Sequence, residues 1–558
     1  MEFIKNDRGF YLSRDGVSFE FCSDSAPKLE GDYARLYLDG IVPTPELRDG
    51  DRILVPVGEG IALTVGEKNL VSDARGDFCS KTGTLCMVIV EREGKFLLIS
   101  LDNGVNSSYD TKPENERYKL LIKNKKPCGV TYAIFGSLRD ACAYHRSLHE
   151  VNRTLDDKIR DNPEIEKLVG GAIFWVWSDD MDEVMYSDYN TDISPAVGED
   201  VLTVAEDLHA SGIDRAMMGF LFAADSKYVE PLYKRFGYIS TQYDNYNDVF
   251  NPAMIEKVPS NRARNCDYTA RRMKDYPAGV QITPSGRLAN AWALKGFDGE
   301  MYPQNTLCPA VAAQRIKEEI PEIIAEYPYY KGRFIDVFGC RLGECHSDVH
   351  PLTMDDTWKV KNGAFKSIED MGLITGTENG FDGIIEHLAY TEGLHSPVIL
   401  QIPDSGRKHA NMFDDEQTEF IGREMMQPSR RVPLWQLVYH DALMSYPYWG
   451  DSTESSPKYT NRRVLFACLF GCPPLYSFKV SDYEKLKPSI IDSYNRICAV
   501  HSKIATLKMT DYEVLSDDYM LQRSVFGDKY EIIVNFSDTD REYNGKTVPR
   551  ENMIFQEK

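Results

Sequence analysis

From Leu168 onward the chain repeats one pattern: a short apolar, β-prone run, a polar loop, then an amphipathic helical stretch. Strands that alternate with helices pair in parallel, because each helix carries the chain back across the sheet before the next strand begins. The strand candidates are Gly170–Trp177, Ala216–Phe222, Gly237–Tyr243, Ala278–Thr283, Phe334–Val337, Gly372–Glu378, Leu434–His440 and Gly471–Tyr476. Between most of them lie helix candidates, at Asp200–Ser211, Lys227–Phe236, Cys308–Glu326, Val360–Met371 and Asn461–Phe470. Eight such strands over roughly 300 residues predict a (β/α)8 barrel. A doubly wound open sheet is the competing arrangement, but no GxGxxG turn follows the first strand.

The flanking stretches have a different texture. Residues 1–136 alternate apolar and polar positions between Gly, Asp and Asn turns, as in Val17-Ser-Phe-Glu-Phe and Ala34-Arg-Leu-Tyr-Leu. That spacing predicts an N-terminal antiparallel β-sandwich. A helical connector over 137–167 leads into the barrel, assigned to 168–503. Residues 504–558 return to β texture and predict a small C-terminal β-sandwich. The expected fold is therefore multidomain, α/β plus β, which suits a chain of 558 residues, too long for one core.

Charge narrows the choice of partner. Lys plus Arg is 64 and Asp plus Glu is 86, so the net charge is 64 − 86 = −22. Such a surface repels phosphate backbones and anionic headgroups, so neither nucleic acid nor membrane is expected as a partner. The run Val464–Phe478 is broken by Pro473-Pro474 and is too short to span a bilayer. With no apolar leader at the amino terminus, the chain is expected to be cytoplasmic, and its 12 cysteines to stay thiols.

Chemistry is suggested by two strand candidates that end alike. Arg333-Phe-Ile-Asp336-Val-Phe-Gly and Leu373-Ile-Thr-Gly-Thr-Glu378-Asn-Gly each run from apolar residues to one carboxylate and a glycine turn. In a barrel this places an acid at the carboxyl end of the sheet, where barrel active sites are built. Two acids facing one cavity are the minimum equipment for glycoside hydrolysis, one to attack the anomeric carbon and one to protonate the leaving oxygen. Asp336 is assigned as the nucleophile and Glu378 as the acid/base.

A sugar also needs flat apolar platforms and directional polar groups. The expected strand ends offer Trp175 and Trp177 on the first and Tyr243, Asp244 and Asp248 in Tyr243-Asp-Asn-Tyr-Asn-Asp after the third. His440 ends the seventh candidate, with Trp449 just beyond it. These residues are assigned to substrate binding. No cofactor is expected. A metal site on Glu344, His346, Asp348 and His350 is an alternative, but the helical HExxH of a zinc hydrolase is absent.

The order of these features resembles the retaining endo-α-N-acetylgalactosaminidases and their exo-acting relatives, glycoside hydrolase families 101 and 129 and related bacterial proteins. Leu54-Val-Pro-Val-Gly-Glu-Gly60-Ile-Ala-Leu resembles their glycine-rich sandwich strand, and Phe334-Ile-Asp336-Val the strand bearing their aspartate nucleophile. Thr377-Glu378-Asn379-Gly380 stands at the place of their acid/base. Val432-Pro-Leu-Trp-Gln-Leu-Val-Tyr-His440 is similar to their late barrel strand, and Ser524-Val-Phe-Gly-Asp528 to their terminal sandwich. The resemblance implies a carbohydrate or glycopeptide substrate and removal of terminal α-linked sugars, with α-N-acetylgalactosamine first. The chain is far more compact than the endo enzymes, which leaves α-galactosidase or α-glucosidase action, or sugar binding without turnover, as alternatives.

Overall fold

A computed structural model of the chain describes residues 1–66, 74–78, 82–114, 117–149, 151–177, 179, 194–221, 224–258, 273–340, 343–394 and 412–558. At its centre are eight parallel strands: β1 (Ala172–Trp177), β2 (Ala216–Phe220), β3 (Ile239–Asn245), β4 (Gly332–Asp336), β5 (Ile374–Glu378), β6 (Tyr390–Glu392), β7 (Met444–Tyr446) and β8 (Leu475–Lys479). Across the sheet they run β7-β6-β5-β4-β3-β2-β1-β8, which makes a nearly closed barrel. At the seam between β7 and β8 the Thr453 amide donates to the Leu475 carbonyl at 2.9 Å.

Five of the eight strand candidates match barrel strands closely. A sixth, Gly471–Tyr476, overlaps β8 only at Leu475 and Tyr476, its first residue being the cap of the preceding helix. Ala278–Thr283 matches none of them. It lies in the insertion between β3 and β4 and makes only isolated bridges, Val280 with Leu307 and Ile282 with Leu288. Leu434–His440 is also corrected: Leu434–Tyr439 is a helical turn with every side chain buried. A wholly apolar run shows no polar face, so helix and strand read alike in it. The two strands that replace them, β6 and β7, have three residues each, too few to display alternation.

The pleat sorts side chains between two cores. Ile173, Trp175 and Trp177 of β1 face inward with Met217, Ile239, Tyr243, Phe334, Ile374 and Tyr390. Ala172, Phe174 and Val176 face outward, against residues of α1 (Ser194–Ala210), α2 (Ser226–Phe236) and, later in the chain, the helix Tyr483–Ile504. Leu155, Ile165 and Leu168 of the connector join the inner cluster and close the amino end of the barrel. There the buried Lys158 ammonium donates to the carbonyls of Ile385 and Leu388 at 2.8 Å and of Ala442 at 2.7 Å. Three carbonyls replace the water that the cation has lost. Only the carboxyl end is left to hold a site.

Ahead of the barrel lie a three-stranded sheet, starting at Glu2–Asn6, and a larger one built around the long strand Arg117–Phe135. The larger sheet docks on the chain just before β7: the Ala62 amide donates to Arg430 at 2.8 Å and the Val432 amide to Gly60 at 3.0 Å. A Cβ on Gly60 would stand 2.4 Å from the Val432 carbonyl oxygen, and its φ is +140°, so only glycine fits this approach. Behind the barrel, four antiparallel strands between Met509 and Glu557 pack on the helix Thr460–Phe470, with Phe466 and Phe536 rings 4.5 Å apart. Among the described residues no helix is long and apolar enough to cross a membrane. Nine cysteines among the described residues are free, but Cys86 is disulfide-bonded, which corrects the expectation that all stay thiols.

Candidate active site

The strands β3 to β7 end in a common layer. Asn245 is in register with Asp336, Glu378 with Glu392, and Glu392 with Tyr446. Ile335 is in register with Thr377, so Asp336 and Glu378, one residue further along each strand, stand side by side. Three carboxyl groups therefore meet at the mouth of the barrel. Each is followed by a left-handed residue: Val337 at φ 60°, Asn379 at φ 61° and Gly393 at φ 82°. That turn takes the backbone off the strand axis and leaves the acid as the last side chain of the inner face. For a β-branched residue such as Val337 it costs roughly 1–2 kcal/mol, the kind of strain that gathers at functional sites. The two strand ends are bolted together by Thr377, whose hydroxyl donates to the Ile335 carbonyl at 2.7 Å and accepts from the Gly339 amide at 3.0 Å.

Asp336 is buried and its Oδ2 accepts from the Tyr243 hydroxyl and, at 3.2 Å, from the Asn245 amide. The same Asn245 group donates to Asp248 Oδ2 at 3.0 Å. Glu378 lies within hydrogen-bonding reach of Asp336. Burial first, and then the charge of Glu378, push the Asp336 carboxyl well above its ordinary range, while the Tyr243 hydroxyl pulls the other way. Two neighbouring carboxylates are costly to ionise together. On its far side Glu378 Oε2 accepts from the Cys340 thiol at 3.0 Å, and that sulfur accepts from the Asn379 amide at 3.3 Å. Burial holds the Cys340 thiol protonated.

The third acid, Glu392, is fully buried and accepts from the Trp175 indole N–H at 3.0 Å. Burial raises its carboxyl well above the usual range, more than the indole contact lowers it. Burial thus favours its neutral form, in which it adds no third negative charge to the pair.

The residues read from the sequence are divided by the fold. Asp336, Glu378, Tyr243 and Asp248 come together. Trp175 and Trp177 pack inside the barrel beneath the acids, rings 5.9 Å apart, with the Trp177 N–H on Ser477 Oγ at 2.8 Å. The pleat turns Asp244 to the face opposite Tyr243 and Asn245, 3.4 Å from the buried Arg333 guanidinium. His440 is not brought to the mouth: it precedes β7, at the amino end, with Nδ1 2.6 Å from the Leu507 carbonyl and Nε2 3.1 Å from that of Gly471. Trp449 lies in the single turn Trp449–Asp451 beyond β7, and its side chain falls outside the described residues. Cys340 and Glu392 were missed. Ala389-Tyr-Thr-Glu392-Gly393 carries the same apolar run, acid and glycine as the two strands that were recognised.

Residues 417–525 match the model of a family described as glycosyl hydrolases related to GH101 family, GH129. No curated protein matches the sequence. In fold the chain is similar to the ligand-free alpha-N-acetylgalactosaminidase NagBb from Bifidobacterium bifidum, at 16% identity and a TM-score of 0.67, over 96% of this chain and 97% of that one. The GalNAc complex of NagBb matches at 16% identity and a TM-score of 0.67, over 99% of this chain and 98% of that one. A GH31 family sulfoquinovosidase from E. rectale matches at 8% identity and a TM-score of 0.52, over 100% of this chain and 87% of that one. The chain thus resembles the GH101- and GH129-type glycoside hydrolases, in sequence over residues 417–525 and in fold over nearly its whole length.

Proposed function

We propose that the chain is a retaining α-glycoside hydrolase that removes terminal α-linked sugars, α-N-acetylgalactosamine before others. The observation that carries this reading is the side-by-side contact of Asp336 and Glu378 at the barrel mouth. Inverting enzymes hold their carboxyls about 6.5–9.5 Å apart to admit a water, whereas retaining enzymes hold them about 5 Å apart. Asp336, held by Tyr243 and Asn245, is assigned as the nucleophile and Glu378 as the acid/base. Glu378 gives a proton to the glycosidic oxygen as Asp336 bonds to the anomeric carbon. In the second half Glu378 takes a proton from water, whose oxygen displaces Asp336 from the sugar. Tyr243 and Asp248 stand beside the nucleophile and are assigned to sugar binding. The fold shared with NagBb supports α-N-acetylgalactosamine as the sugar. An α-galactosidase or α-glucosidase on the same scaffold is the second reading, since one fold can host several sugar specificities.

The test is turnover of nitrophenyl α-glycosides by the wild type and two variants, with azide as an external nucleophile. D336A is expected to be inactive alone and, with azide, to form a β-glycosyl azide from an activated α-glycoside, azide attacking from the face that the missing carboxylate leaves open. E378A is expected to slow by about 10²–10⁴ on poor leaving groups and to give an α-glycosyl azide. Folded wild-type protein that turns over none of these glycosides sinks the reading in favour of a sugar-binding protein.

A further inference from the structure

A second cluster lies away from the acids, in the loop that leaves β4. Of the alternating polar residues 344–350, most do not converge: Glu344 pairs with Lys126 at 2.9 Å, and Asp348 is exposed. His350 instead turns back on Cys345, because residues 345 and 352 form an antiparallel bridge. The Cys345 sulfur lies 3.3 Å from His350 Nδ1. The Cys308 sulfur lies 3.6 Å from the His350 carbonyl oxygen, and the ligand atoms of Cys308, Cys345 and His350 all fall within 4.8 Å of one another.

The histidine is oriented for a cation. His350 Nε2 is 2.7 Å from the Ala278 carbonyl, which can only accept. The ring proton is therefore on Nε2, and the Nδ1 lone pair points at the sulfurs; outer-shell carbonyls orient metal-ligating histidines in the same way. Cys308 is the residue before the first turn of α3 (Pro309–Glu326), and no helix amide is hydrogen-bonded to its side chain. Both cysteines are free and buried, and His350 is half-exposed, which leaves one side open. Bonds of about 2.3 Å to sulfur and 2.0–2.1 Å to nitrogen, set tetrahedrally, separate the ligand atoms by roughly 3.5–3.8 Å. The cluster is close to that spacing.

We propose that Cys308, Cys345 and His350 bind one Zn²⁺, with a solvent molecule as fourth ligand. Binding expels the two thiol protons, and two thiolates then neutralise the dication in a buried place. The ion ties the loop after β4 to the first turn of α3. Only five residues earlier that loop carries Cys340, the thiol against Glu378, so the same tie steadies the barrel mouth. The site is independent of the assigned hydrolytic activity, and its test needs no turnover.

Full-length protein is expressed with zinc, purified under reductant without chelator, and analysed for metal. About one zinc per chain is expected, falling to background in C345S. Stripped protein reloaded with Co²⁺ should show thiolate-to-cobalt absorption in the near ultraviolet, absent in C308S. His350→Gln, at a half-exposed position that leaves both sulfurs in place, should keep its fold, bind zinc more weakly and lose the rise in Tm that zinc gives the wild type. Wild-type protein with reduced thiols that takes up no more zinc or cobalt than C345S overturns the proposal. So does a Cys308–Cys345 disulfide in the protein as purified.

Discussion

Burial raises the carboxyls of Asp336 and Glu392 in the folded chain, so between their unfolded and folded pKa values the native state binds more protons than the unfolded chain. Stability therefore falls as pH rises through that window. D336N, which keeps the shape and removes the charge, is expected to melt above the wild type at pH 7, with the gap shrinking toward pH 4. A wild type that melts higher at pH 7 would show that Asp336 is not strained by its neighbours. The acids themselves were visible in the sequence, because an apolar run closed by one carboxylate and a glycine turn is a local pattern. Glu392 carries that pattern too, but on a strand of three residues. Asp244 reads as a companion of Tyr243, and only the pleat decides that it points the other way. Cys340 has no local signal. Its contact with Glu378 crosses from one loop to the next strand.

Strand β5 shows how much the mouth depends on its neighbours. A Cβ at Gly376 would stand 2.0 Å from the Tyr390 ring of β6, so that ring fits only over glycine. G376A is expected to destabilise the chain by about 1–3 kcal/mol, as overpacking does. Because Glu378 lies two residues on, kcat should fall as well. Urea unfolding and steady-state kinetics check both, and an unchanged midpoint would mean that Tyr390 moves freely. Long elements with both an apolar and a polar face were legible: α1, α2 and α3 lie where helical periodicity put them. Elements without such contrast were not. Leu434–Tyr439 is buried all round, and its Trp435 amide donates to the Glu59 carbonyl at 2.9 Å, in the turn between two strands of the larger sheet.

At the level of the whole chain, Asp382 joins three regions. It accepts from the Cys86 amide at 2.6 Å, from His145 Nε2 at 3.0 Å and from the Tyr439 hydroxyl. Burial alone would raise its carboxyl, but the imidazole of His145 and the Tyr439 hydroxyl outweigh it and hold it at about 2. The folded value lies below the unfolded one of about 4, so this stability is complete above pH ~4 and is lost as pH falls toward ~2. Its size is about 2.5 kcal/mol from the linkage relation. Acid titration of the urea midpoint should show that loss in the wild type, and D382N should lack it while being less stable at pH 7. Equal slopes in the two proteins would place the acid sensitivity elsewhere.

Local chemistry was enough to read a parallel α/β centre with β-rich flanks, because strand and helix periods repeat within each segment. It was enough to place Asp336 and Glu378 at strand ends as well, since acid, glycine and apolar run are contiguous. The contact between those two acids depends on the register of β4 against β5, which is fixed by packing across the barrel. The same holds for the buried Glu392, for the histidine at the wrong end of β7, and for two cysteines and a histidine drawn from different loops. Pairings between residues tens of positions apart are decided by which surfaces bury one another, and a linear pattern carries no record of that.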